Sequence, residues 1–109
     1  FVGSHGYEHD WLNTYSEKEQ RKQVESSIKF LEEIDVSTDD WVMCYPYGGY
    51  NNSLIKILKE KKCKIGLTTK VGIANLNKSN ALTLERLNTN DFPKKRSSNK
   101  NIWVKKVIS

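Results

Sequence analysis

Read along the chain, apolar positions come in short groups whose spacing changes. Val24, Ile28, Leu31 and Ile34 recur at helical spacing. They follow Ser16, which stands three residues before Glu19, the spacing of a capping box. The pattern predicts a helix opening at Ser16 and ending near residues 33–35, with those four residues as its apolar stripe. Trp41-Val42-Met43-Cys44-Tyr45 is a continuous apolar run stopped by Pro46, and it reads as a short buried strand. Pro46-Tyr47-Gly48-Gly49 reads as a turn. Asn52 or Ser53 can cap a second helix that carries Leu54, Ile55, Ile57 and Leu58 inside and lysines outside. Ile65-Gly66-Leu67-Thr68-Thr69 reads as another strand. Strand, helix and strand in that order predict a parallel sheet with flanking helices.

The flanks are less patterned. Phe1-Val2 reads as the tail of a strand that runs into Gly3-Ser4, and residues 5–15 as a polar, aromatic loop. Residues 70–80 read as a loop, and Leu82, Leu84 and Leu87 as a short extended segment around Arg86. Residues 93–100 read as a solvated basic loop, and Trp103, Val104, Val107 and Ile108 as an amphipathic terminal helix.

Composition narrows the class. The 109 residues are 37% hydrophobic and include three Trp, five Tyr and three Phe, too apolar and aromatic for a disordered chain. No apolar run approaches the roughly 20 residues of a membrane span. No basic region leads into an apolar stretch at the amino terminus, so no signal peptide is expected here. The compartment is left open. Cys44 and Cys63 form no paired motif and read as two separate reduced thiols.

The net charge of +5 conceals an asymmetry. Residues 1–55 hold ten acids and four bases, a net −6, and residues 56–109 hold three acids and fourteen bases, a net +11. The basic half reads as a lysine-rich solvated face. The alternative is a non-catalytic module that binds acidic glycan or nucleic acid, with Trp103 or Tyr50 stacking. No recognition motif accompanies the charge, so a nucleic-acid partner is not expected.

Two places carry candidate chemistry. Both histidines lie in His5-Gly6-Tyr7-Glu8-His9. Four residues apart on a helical turn, both imidazoles would reach one face and give nitrogens to one metal. The carboxyl end of a parallel strand is where open sheets and (β/α) barrels place their sites. The plain alternative is a pair of surface or capping histidines. Tyr45-Pro46-Tyr47-Gly48-Gly49-Tyr50 closes the next strand. Its aromatics can stack on sugar rings, and a backbone N–H there can stabilise an oxyanion. An ordinary aromatic-rich turn would look the same.

The two motifs in series, followed by a helix and Ile-Gly-Leu-Thr-Thr, resemble the polysaccharide deacetylase family, carbohydrate esterase family four. Leu84-Glu85-Arg86-Leu87-Asn88-Thr89-Asn90-Asp91 is similar to the segment that closes these domains in members linked to surface polysaccharides. The resemblance implies part of a distorted seven-stranded (β/α) barrel. It implies hydrolysis of N-acetyl groups on amino-sugar glycans such as N-acetylglucosamine polymers and oligomers. It also implies a divalent metal, zinc first, with cobalt or nickel as alternatives.

By the same resemblance His5 and His9 hold the metal. The Tyr47 backbone amide meets the oxyanion, and Tyr45, Pro46, Tyr47 and Tyr50 face the sugar. The family's Asp-Asp strand end, source of the base and third ligand, is not found in these 109 residues. Asp39-Asp40 follows the histidines and leads into a strand. Residues 1–109 are therefore expected to be the C-terminal part of one catalytic domain, inactive and weak in metal binding when alone. Arg86 and Asp91 are candidates to face the site.

A competing enzymatic reading takes residues 5–9 as H-x-x-E-H of a metalloprotease, with Glu8 as base and Glu85 as third ligand. That motif requires a continuous helix, which Gly3 and Gly6 oppose.

Overall fold

A computed structural model gives the fold and describes residues 1–76, 80–91, 102 and 106. Helix α1 spans Glu17–Glu33 and α2 spans Asn52–Glu60. Three strands, β1 (Val42–Cys44), β2 (Ile65–Val71) and β3 (Leu84–Arg86), form one sheet in the order β1-β2-β3. Both pairings are parallel: Val42, Met43 and Cys44 lie opposite Ile65, Gly66 and Leu67, and Leu67 lies opposite Leu84. Ser4 extends the sheet on the other side of β1 through a parallel bridge to Met43. Its N–H donates to Val42 O and its O accepts from Cys44 N–H, each at 2.8 Å. The fold expected from strand, helix and strand is therefore present, with all carboxyl ends on one side.

The helices start where their side chains allow. Ser16 caps α1 with both halves of the capping box formed, and Glu17 and Glu19 place negative charge at its N-terminus. Asn51, rather than Asn52 or Ser53, caps α2. Its backbone is extended (φ −149°) and its Oδ1 accepts the Leu54 N–H at 3.1 Å. The Ser53 hydroxyl is engaged elsewhere, on Gln20 Oε1 at 2.5 Å. Arg21–Glu60 at 2.7 Å and Lys61–Glu25 at 3.0 Å tie the two helices across their exposed rims.

One face of the sheet packs on the helices. Trp41, Met43 and Tyr45 alternate inward along β1 and meet Leu12, Val24, Leu54, Ile57 and Leu58 in the core. Trp41 is 1% exposed, and its Nε1–H donates to Lys61 O at 2.8 Å. The opposite face carries Val42, Cys44, Ile65 and Leu67, all half-buried. Cys63 is buried, Cys44 is half-buried, and both are free thiols. Burial pushes the Cys63 thiol up to about 11.

The stripe read for α1 is shifted around the helix. Val24 and Leu31 are buried, but Ile34 is exposed, and Gln20, Gln23 and Ser27 share the buried face. Those polar residues hold the loop after Ser4, and Ile34 lies beyond the helix as its C-cap, with a non-helical backbone (φ −99°, ψ 20°). Residues 93–100 and the helix read over Trp103, Val104, Val107 and Ile108 lie outside the described residues. Among the described residues no helix is long and apolar enough to cross a membrane.

Candidate functional site

The loop from His5 to Leu12 leaves the sheet at Ser4 and is fastened to α1 at three points. Ser4 Oγ and Ser27 Oγ are hydrogen-bonded. Glu8 N–H donates to Gln23 Oε1 at 3.0 Å. Gln20 Nε2 donates to Leu12 O at 2.8 Å and to Asn51 Oδ1 at 3.0 Å. Residues 20, 23 and 27 lie on one helical face, so α1 acts as a rail for the loop. Sequence reading missed this. The available signal was polar residues interleaved with Val24 and Leu31 at helical spacing.

The loop is no helix. Gly6 has φ 77° and His9 φ 55°, values that break any continuous turn. This corrects the expectation that a helical turn pairs the histidines, and it removes the metalloprotease reading, which needs one. The pair forms nonetheless: the His5 and His9 ring centroids are 4.8 Å apart. His5 Nδ1 lies 2.8 Å from Cys44 O, at the end of β1. A carbonyl oxygen only accepts, so Nδ1 carries the proton and Nε2 of the neutral ring keeps its lone pair. A metal-binding imidazole is oriented in this way.

Nearby acids point elsewhere. The Asp10 carboxylate accepts the Tyr15 hydroxyl at 2.5 Å, and this bond pushes the Tyr15 hydroxyl up to about 12. Glu8 lines a cleft of about 280 Å³ against α1, with Tyr15, Glu19, Lys22 and Gln23. Asp39 and Asp40 precede β1, at the opposite end of the strand from His5. Among the described residues no three His, Cys, Asp or Glu converge as a metal-ligand group. Thr69, Val71, Arg86, Asn88 and Asp91 line a separate cavity of about 70 Å³ at the ends of β2 and β3.

The turn after β1 adds an aromatic surface. Tyr47 has φ 55° and its ring is 50% exposed. Its ring stands 5.0 Å from that of His9 and stacks on Trp11 at 4.9 Å, with 12° between planes. Gly48 (φ 72°) lets the turn press against Thr69, where a Cβ would overlap the Thr69 hydroxyl. Gly48 and Gly49 N–H groups donate to Tyr45 O and Pro46 O within the turn.

Two of the four expected sugar-facing side chains are not surface. Tyr45 is 3% exposed, and its hydroxyl donates to Leu82 O at 2.6 Å. Burial pushes that hydroxyl well above its ordinary value. Pro46 is fully buried. Strand alternation points Tyr45 inward with Trp41 and Met43. Tyr47 and Tyr50 remain exposed, with Tyr50 tilted onto Tyr45 at 5.1 Å. Trp11 joins the row unforeseen.

Comparison with known proteins agrees with this geometry. The sequence pattern of the polysaccharide deacetylase family matches residues 1–66, the stretch holding both motifs. No curated protein matches the chain. Among solved structures, a Streptococcus pyogenes deacetylase, PplD, in complex with acetate superposes with a TM-score of 0.71 at 28% identity. The match covers 78% of this chain and 37% of that one, so the chain spans little more than a third of the streptococcal protein's length. A parallel sheet with flanking helices, a histidine pair at its carboxyl edge and a family match over more than half the residues give one conclusion: the chain belongs to the polysaccharide deacetylase family.

Proposed function

We propose that this chain carries part of the site of a metal-dependent deacetylase acting on N-acetylated amino-sugar glycans. The observation that carries the reading is the oriented pair. His5, its Nδ1–H committed to Cys44 O, stands 4.8 Å from His9 beside the exposed Tyr47. The PplD structure holds acetate, the acid a deacetylation releases.

The residues present fit a metal as two nitrogen ligands. Imidazole suits zinc, cobalt and nickel. When bound, the metal supplies Lewis acidity toward an acetyl carbonyl. The chain's own residues do the rest. His5 and His9 hold the ion. The Tyr47 amide donates to the developing oxyanion. The Tyr47 ring packs against the sugar that carries the acetyl group.

Among the described residues the donor set is incomplete. A third ligand and a base are assigned to an Asp-Asp strand end outside this stretch, with these residues as the C-terminal part of a larger barrel. The half-buried apolar face of Val42, Cys44, Ile65 and Leu67 supports that reading, because a barrel closes over such a face.

Zinc titration by calorimetry tests the reading. The chain should bind zinc weakly, and His5→Ala or His9→Ala should each remove that binding. Incubation with N-acetylglucosamine oligomers and zinc should release no free amine. Zinc binding that survives both substitutions would sink the metal reading. Amine release by this chain would sink the incomplete site.

A further inference from the structure

We propose that Trp11 is the platform for a second sugar unit, adjacent to the one presented to His5 and His9, and so sets the length of glycan recognised. The inference rests on the deacetylase reading above and names the residue that would distinguish an oligomer from a single sugar.

Trp11 is a poor core residue and a good platform. Trp41 is a core residue at 1% exposure, whereas Trp11 is 48% exposed. Leaving so much apolar ring in water is unfavourable unless something covers it. Its position is held from several sides. The next residue, Leu12, is fully buried. Trp11 O accepts from Thr14 N–H at 3.0 Å and from Thr14 Oγ1 at 2.6 Å. Its ring is stacked on Tyr47. A Cβ at Gly49 would sit 3.1 Å from Trp11 Cε3 and 2.7 Å from Asn13 Oδ1, so the loop seats against the turn because that side chain is missing. An exposed ring held this way loses little freedom when a ligand lands on it.

The spacing suits an extended ligand. Rings run from His5 through His9 and Tyr47 to Trp11 in contacts of 4.8, 5.0 and 4.9 Å. Trp11 thus meets the histidines through Tyr47, the next ring in the chain of contacts. The C–H face of a pyranose carries positive partial charge and meets the negative face of an indole.

The test uses N-acetylglucosamine and its β-1,4 tetramer, with the indole N–H resonances followed by NMR. The tetramer should shift the Trp11 indole signal at saturation, and the monomer should not. Trp11→Ala should raise the tetramer Kd about tenfold, as loss of one anchoring ring at a binding surface does. Monomer and zinc affinities should not change, and Trp11→Phe should keep most of the tetramer affinity. The buried Trp41 indole, bonded to Lys61 O, reports whether each variant is folded. A Trp11 signal unmoved by saturating tetramer overturns the platform, and this result needs no variant. So does an unchanged tetramer Kd in folded Trp11→Ala. Binding of neither sugar, with zinc still held, overturns the glycan reading itself.

Discussion

His9 and Tyr47 face each other with ring centroids 5.0 Å apart, and both hold their backbones at φ 55°. Among the described residues, the other two non-glycine residues at positive φ, Asp35 and Lys62, follow the ends of α1 and α2. There the chain closes Schellman motifs, with Val36 N–H on Leu31 O and Cys63 N–H on Leu58 O, each at 2.9 Å. No helix end explains His9 or Tyr47. Their strain is local to the paired rings, and such outliers gather at functional sites.

The strain sets the order of two substitutions at Tyr47. Both Tyr47→Gly and Tyr47→Ala remove the ring, but only alanine keeps the left-handed penalty. The glycine variant should be more stable than the alanine variant by about 1 kcal/mol, the reverse of the usual order in regular structure. Urea unfolding of the two variants measures this. Equal midpoints would show that the turn relaxes freely.

Gly48 couples the turn to β2. A Cβ there would overlap Thr69 Oγ1 and lie 3.0 Å from Thr69 Cγ2. Gly48→Ala should cost about 1–3 kcal/mol from overpacking and positive φ together. Thr69→Ala removes both offending atoms, so the double variant should regain part of that loss. A double variant no more stable than Gly48→Ala alone would refute the contact.

At α2 the cap is a matter of one residue. Asn51 Oδ1 accepts from Leu54 N–H and Gln20 Nε2, whereas Asn52 is exposed. Asn51→Ala should destabilise the chain by about 1–2 kcal/mol. Asn52→Ala should stay within about 0.5 kcal/mol of the parent. Thermal unfolding separates the two, and equal losses would reassign the cap.

Tyr15 should report on the loop by its titration. Its hydroxyl is raised from the ordinary 10.0 to about 12 by its hydrogen bond to Asp10. The folded chain therefore favours the protonated phenol. The stabilisation from this pair is fully present below pH 10 and is lost as pH rises through about 12. An NMR titration of Tyr15 should show the raised value, and Asp10→Asn should return it toward 10. A titration unchanged in that variant would separate the two residues.

What could be read before folding was local. Ser16 and Glu19 marked the start of α1 because a capping box needs only four consecutive residues. The run from Trp41 to Tyr45, stopped by Pro46, marked β1 for the same kind of reason. His5 and His9 were legible as a pair through spacing and rarity, and the following Pro-Tyr-Gly turn placed them in a family.

The sequence by itself thus determined the order of elements, the parallel sheet and where along the chain the candidate site residues lie. Tertiary structure decided which of those side chains are exposed beside the histidines. Tyr45 and Pro46 belong to the aromatic run, yet the pairing of β1 with β2 turns them into the core. Gln20, Gln23 and Ser27 look like solvent-facing positions of α1, yet they are buried because a loop from the other side of β1 hydrogen-bonds to them. Trp11 joins Tyr47, 36 positions later, only when the loop is seated on α1. Spacing rules act over a few residues, whereas these contacts depend on which distant backbone supplies the partner.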